Sequence, residues 1–224
     1  MADIESNVKA LLKEIPDKNP FGERVTLVAA VKLQSAEDIN RAVFAGITDI
    51  GDNHVQEFKD KYEFITGNPR RHFIGHLQTN KVKYLIGKVD LYHSVDRFAL
   101  AEELSKRSLN AGITSDVLLQ VNIGDEQSKG GFSYEEAVKA YRQLSTTPAL
   151  KPKGLMAMLP FTDDMQVLKK LAAKMRVLFE KVKDLDDGAQ YLSMGMSGDF
   201  RLCIDAGSNM VRLGTSIFGA RNYN

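Results

Sequence analysis

Thr26-Leu27-Val28-Ala29-Ala30-Val31-Lys32 is a short apolar run that ends abruptly on a lysine. Gly22-Glu23-Arg24 precedes it, and Gln34-Ser35-Ala36-Glu37-Asp38 follows and opens a helix. Small and apolar residues in a run of this length read as a fully buried strand. A lysine is costly to bury as a cation. At the carboxyl end of such a strand, however, its amine can emerge into a pocket, where partial desolvation makes a lysine a nucleophile for carbonyl carbon. The plainer alternative is a lysine that marks the strand end and snorkels to solvent. The rest of the chain decides between them.

Outward from that strand the same unit repeats. Ile4, Val8, Leu11 and Leu12 predict a leading helix over 3–14, ended by Pro16 and Pro20. Strands are predicted at 26–32, 47–51, 71–76, 89–95, 115–123, 152–158, 191–194 and 210–213. Between them lie helices at 36–45, 55–62, 79–86 (with Thr79 or Asn80 near its cap), 96–109 (capped by Asp96), 133–144, 162–185 and 198–206. The helix at 133 begins Ser-Tyr-Glu-Glu, a capping-box pattern. Alternating strand and helix units argue a parallel sheet with helices outside. Eight strands in this length predict a closed (β/α)8 barrel of the triosephosphate-isomerase type with an extra N-terminal helix, one domain over 1–224. A doubly wound open sheet is the alternative, but no Gly-rich dinucleotide turn follows the first strand.

Composition narrows the function classes. The 224 residues are 43% hydrophobic and 26% charged, ordinary for a soluble globular protein, and the net charge of +1 points to neither nucleic acid nor a membrane surface. A single cysteine, Cys203, excludes an internal disulfide framework and fits a reducing cytoplasm. The polar N-terminus is not a signal peptide, and no apolar run approaches the ~20 residues that span a bilayer.

In such a barrel the active face is the carboxyl end of the strands. The predicted ends are Lys32, Asn53, His76, Ser94, Asn122, Met156 or Met158, Ser197, and Arg212 with Gly214 and Thr215. Several polar groups converging on one face, a lysine among them, make a site. Ser193-Met194-Gly195-Met196-Ser197-Gly198-Asp199 leaves a strand through glycine and enters a helix through serine, which suits a phosphate; a plain helix cap at Ser197 is the simpler reading of that stretch alone. Val211-Arg212-Leu213-Gly214-Thr215-Ser216 adds a second such loop, and phosphate binding after strands seven and eight recurs in barrels. Arg212 is a permanent donor toward a ring nitrogen or an oxyanion. The residues therefore predict a phosphorylated carbonyl ligand with Lys32 as Schiff-base former. A sugar phosphate, as in a class I aldolase, and pyridoxal phosphate both fit.

Seven motifs, in order along essentially the whole chain, carry a resemblance. They are Val28-Ala29-Ala30-Val31-Lys32, Gly51-Asp52-Asn53-His54-Val55-Gln56-Glu57, and His72-Phe73-Ile74-Gly75-His76-Leu77-Gln78-Thr79-Asn80-Lys81. Then come Val121-Asn122-Ile123-Gly124 through Lys129-Gly130-Gly131-Phe132, Gly154-Leu155-Met156-Ala157-Met158, Leu192-Ser193-Met194-Gly195-Met196-Ser197, and Met210-Val211-Arg212-Leu213-Gly214 running to Phe218-Gly219-Ala220-Arg221. The chain resembles the pyridoxal phosphate homeostasis protein family, also called the proline synthase co-transcribed homolog family. Val31 stands where that family usually has serine, and Asp52 and His54 where glutamate and arginine are usual.

The resemblance implies a barrel like the N-terminal domain of bacterial alanine racemase (fold type III), with pyridoxal phosphate on Lys32. By it, Ser197, Gly214 and Thr215 hold the phosphate, Arg212 faces the pyridine nitrogen, and Asn53 and His76 lie around the cofactor. An arginine there disfavours the protonated ring and weakens the electron sink that is the cofactor's usual contribution. The racemases take a second acid/base, a tyrosine, from another domain of a partner subunit. This chain is expected to lack that domain, and Tyr223 to be a tail residue. The expectation is a cytoplasmic, monomeric protein that binds, buffers or delivers pyridoxal phosphate, possible recipients being apoenzymes that use it, with indirect effects on amino-acid and keto-acid balance. A racemase or slow transaminase is the enzyme alternative. No metal site is expected: His72 and His93 read as strand or surface residues, Cys203 as a small buried one, and Met156, Met158, Met194 and Met196 as barrel filling.

Overall fold

A computed structural model describes residues 3–126 and 129–220; Arg221 and Tyr223 lie outside the described residues. Helix α1 (Ile4–Glu14) leads into eight strands and the helices between them. The strands are β1 (Thr26–Ala30), β2 (Asp49–Asp52), β3 (Arg70–Phe73), β4 (Leu91–Val95), β5 (Ser115–Val121), β6 (Leu150–Ala157), β7 (Tyr191–Ser193) and β8 (Met210–Leu213). All neighbours are parallel, and β8 pairs with β1, so the sheet closes into a barrel. Outside it lie α2 (Ala36–Phe44), α3 (Val55–Lys61), α4 (Phe98–Asn110), α5 (Tyr134–Ser145), α6 (Met165–Lys183), α7 (Phe200–Asp205) and α8 (Thr215–Phe218). The predicted barrel and its leading helix are what the chain forms.

Residues of each strand alternate between the barrel interior and the helix layer. Val28, Leu91, Leu118, Met156 and Met210 form a small apolar cluster in the interior. Leu27, Ala29 and Val31 pack outward with Val8, Leu11 and Ile39 of α1 and α2. Ser133 caps α5 and Glu136 returns the bond, so the predicted capping box forms.

Three local expectations are corrected. The predicted helix at 79–86 is a 3-10 helix, Thr79–Tyr84, preceded by Gln78 with no side-chain cap. Val82 within it and Leu85 just after it are both buried and three apart, the spacing at which 3-10 side chains eclipse. Asp96 does not cap α4; Arg97 holds that position without a side-chain bond, while Asp96 binds His76 and Arg97. His72 and His93, expected as strand or surface residues, lie in β3 and β4 and are fully buried. Of the four methionines, Met156 fills the barrel, Met194 packs in the helix layer with Cys203, and Met196 is exposed.

Candidate functional site

Strand β1 stops at Ala30, and Val31 N–H still reaches Gly51 O at 3.0 Å on β2. Lys32 therefore follows Val28 and Ala30 on the interior face of β1, half-buried at its carboxyl end. The chain then turns sharply. Gln34 N–H donates to Val31 O at 3.2 Å across the turn, and Leu33 takes a left-handed φ of 61°. Glu57 of α3 accepts from Leu33 N–H at 2.8 Å, and Lys61 donates to Val31 O at 3.1 Å. Lys61 also faces Asp52 at 3.8 Å and Glu57 at 3.4 Å, so these carboxylates are matched by Lys61 and not by Lys32. Burial pushes the Asp52 carboxyl up to about 6 against the opposing pull of Lys61.

The register aligns Leu213 with Ala29, so Gly214 follows beside Ala30, and the segments carrying Lys32 and Thr215 leave the same edge of the barrel. The loops after β7 and β8 are tied together: Ser197 Oγ accepts from Ser216 N–H at 3.3 Å. Among the described residues no backbone acceptor serves the N–H groups of Ser197, Gly198 or Thr215. A Cβ added to Gly198 would meet nothing within 4 Å, so the space over that loop is open. The loop is not a plain helix cap. Helix α7 begins at Phe200 with Asp199 at its N-cap, and Asp199 Oδ1 accepts from Met196 N–H at 2.6 Å.

Arg212 is buried in the interior beneath these loops. Its Nη1 donates to Ser193 Oγ at 2.6 Å and its Nη2 to Ala157 O at 3.0 Å. Nε–H and the second hydrogens of Nη1 and Nη2 have no acceptor among the described residues, and Nε–H is the one on the side of the guanidinium away from both bonded nitrogens. Burial pulls the Arg212 pKa down to about 10, which leaves it a cation at neutral pH.

Asn53 is half-buried on the continuation of β2, where the backbone of Gly75 packs on it. His76 sits further out, its side chain 64% exposed and its Nδ1 2.9 Å from Asp96 Oδ2. The structure thus gathers Lys32, Arg212, Ser197, Gly214 and Thr215 around the ends of β1, β7 and β8, with Asn53 beside them and His76 at the rim. Ser94 and Asn122, also predicted strand-end residues, hold backbone instead, Ser94 to Gly75 O and Asn122 to the carbonyls of Glu126 and Lys129. Sequence reasoning missed Ser193, His93, His72 and Asp49 beneath Arg212. A histidine at interior phase in each of two successive strands, β3 and β4, was the signal available for His72 and His93.

The site is thus a lysine closing β1 of a parallel barrel, with free N–H donors in the loops after β7 and β8. The sequence profile of the alanine racemase N-terminal domain family matches residues 1–222, and the chain belongs to that family. Its relatives there include the pyridoxal phosphate homeostasis proteins of Aquifex aeolicus (40% identity over 88% of this chain and 87% of the relative) and Pasteurella multocida (37%, 100% and 97%). Within the family it is a member of the pyridoxal phosphate homeostasis protein group. Among solved structures, PipY of Synechococcus elongatus with PLP bound superposes with a TM-score of 0.85 at 28% identity over 97% of this chain and 100% of that one. An alanine racemase of Clostridium difficile shares the fold alone, at a TM-score of 0.80 and 13% identity, over 99% of this chain and 58% of that one.

Among the described residues no helix is long and apolar enough to cross a membrane, and no group of three or more His, Cys, Asp or Glu could hold a metal ion.

Proposed function

We propose that this chain holds pyridoxal 5'-phosphate on Lys32 and serves to keep, buffer and hand on the cofactor within the cytoplasm. The observation that carries the reading is the convergence of Lys32, buried Arg212 and the joined Ser197 and Ser216 loops at one end of the barrel. The residues fit the group. The unpaired N–H donors of Ser197, Gly198 and Thr215 suit a phosphate dianion, and the open space over Gly198 admits it. Arg212 Nε–H suits a ring nitrogen that keeps its lone pair. Lys32, not neutralised by Asp52 or Glu57, suits an aldehyde. Bound this way, the cofactor supplies an electrophilic carbonyl equivalent and, with arginine against its ring, a weakened electron sink.

Within the chain, Arg212 orients the ring, Ser197, Gly214 and Thr215 orient the phosphate, and Asn53 and His76 border the opening. Asp96 accepts from His76 Nδ1–H and so turns Nε2 outward as the available ring nitrogen. Recipients are apoenzymes that lack their cofactor. Titrating the purified protein with pyridoxal phosphate tests the reading. Wild type is expected to develop a visible band that saturates at one equivalent. Lys32→Ala is expected to show only the spectrum of the free cofactor. A wild-type spectrum equal to that of the free cofactor would return the sugar-phosphate reading.

A further inference from the structure

Barrel interiors are filled mainly by branched apolar side chains. This one is crossed by a line of polar groups. His72 Nε2 is 2.9 Å from Asp49 Oδ1, and His72 Nδ1 is 2.8 Å from His93 Nε2. His93 Nδ1 is 3.1 Å from Ser193 Oγ, which receives Arg212 Nη1–H at 2.6 Å. These residues come from β2, β3, β4, β7 and β8, so the line crosses the barrel from one wall to the other. His72, His93 and Ser193 are fully buried, and Asp49 and Arg212 are nearly so. The Asp49 end, with Arg70, lines a cavity of about 800 Å3 at the amino end of the strands.

The donor inventory restricts how protons can be arranged along this line. Asp49 as a carboxylate only accepts, so His72 carries hydrogen on Nε2. When His72 Nδ1 is the acceptor of the 2.8 Å contact, His93 donates from Nε2. With His93 neutral, its Nδ1 accepts and the Ser193 hydroxyl must donate to it. Ser193 Oγ then has lone pairs for Arg212 Nη1–H. Each group donates to the next, from arginine to carboxylate, and no hydrogen is duplicated or missing. Burial holds His93 well below the usual histidine range, in keeping with a neutral ring.

We propose that Asp49, His72, His93 and Ser193 are positioning residues for Arg212: a one-way hydrogen-bond chain locks its guanidinium so that Nε–H is presented to the ligand ring. The proposal rests on the reading of Arg212 as the ring-facing group, but most of its test does not. Mutual polarisation strengthens such a line, and a single gap leaves two buried groups unsatisfied.

Long-range proton–nitrogen NMR of the ligand-free protein is the test. Both His72 and His93 are expected to carry hydrogen on Nε2 and to accept at Nδ1, and the Arg212 Nε–H resonance to appear as a slowly exchanging signal. Ser193→Ala is expected to shift and broaden that signal and to convert His93 to a mixture of forms, while Ser193→Thr, which keeps the hydroxyl, restores both. Added pyridoxal phosphate should bind Ser193→Ala at least fivefold more weakly, with a displaced absorption band. His93 with hydrogen on Nδ1, a charged His93, or an Arg212 signal untouched by Ser193→Ala would each overturn the proposal. If wild type took up no cofactor, the ligand reading would fail while the nitrogen resonances still decided the chain.

Discussion

A methyl group placed on Gly75 would lie 2.1 Å from the backbone oxygen of Asn53. The continuations of β2 and β3 therefore touch backbone to backbone, and the Asn53 segment is held against the segment carrying His76. The clash involves main chain on both sides, so no side chain can yield to relieve it. Gly75→Ala is expected to lose about 2–3 kcal/mol of stability and to weaken cofactor binding. Urea unfolding with a parallel cofactor titration measures both. A variant that unfolds at the wild-type midpoint would show that the two segments are not in contact.

Asp52 carries a pH dependence of defined sign. Burial raises its carboxyl from the ordinary 3.8 to about 6. Between those values the folded protein keeps a proton that the unfolded chain has released. Stability contributed by the protonated form is thus present below pH 4, falls as pH rises through the window, and is gone above about 6. Asp52→Asn fixes the neutral form. It is expected to exceed wild type by about 2–3 kcal/mol at pH 7.5, with the difference closing near pH 4. Thermal midpoints of the pair from pH 4 to 8 give the curve, and a constant difference across that range would contradict it.

Leu33 tests the turn that ends β1. A left-handed φ of 61° in a leucine costs about 1 kcal/mol relative to glycine. Leu33→Gly is expected to leave stability unchanged or slightly raised, because glycine's greater chain entropy offsets the relief. Leu33→Val, branched at Cβ, is expected to lose about 1–2 kcal/mol. Both keep the backbone N–H that donates to Glu57, so a difference between them does not come from that bond.

Ser197 is separable from the rest of the site by the ligand used. On the proposed reading its hydroxyl serves the phosphate end, so Ser197→Ala is expected to weaken pyridoxal phosphate by about 1–2 kcal/mol, or roughly 5–30-fold. Pyridoxal, which lacks the phosphate, should bind variant and wild type alike. Equal losses for both ligands would remove Ser197 from the phosphate site.

What could be read in advance follows from how local each signal is. The β1 run, the bounds of β8 and the Ser133–Glu136 capping box are written in a few contiguous residues, and the structure keeps them. Repetition of the unit fixed the barrel, because eight strands of this size leave few other ways to bury both faces of a parallel sheet. Asp96 was misread because a carboxylate before a helical pattern normally caps it, whereas here His76, 20 residues earlier, competes for the same oxygens. Apart from its two histidines, the polar line under Arg212 left no local signal, for a similar reason. Ser193 and His93 are 100 residues apart, and each alone resembles a small or polar residue inside an apolar strand. Only barrel closure makes them neighbours.

The central claim is a covalent one, and the most direct measurement is mass spectrometry of the protein incubated with pyridoxal phosphate and reduced with borohydride. One phosphopyridoxyl group per chain is expected, mapped by peptide sequencing to Lys32 and missing from Lys32→Ala. A label spread over surface lysines such as Lys81 and Lys83, or one retained by Lys32→Ala, would contradict it.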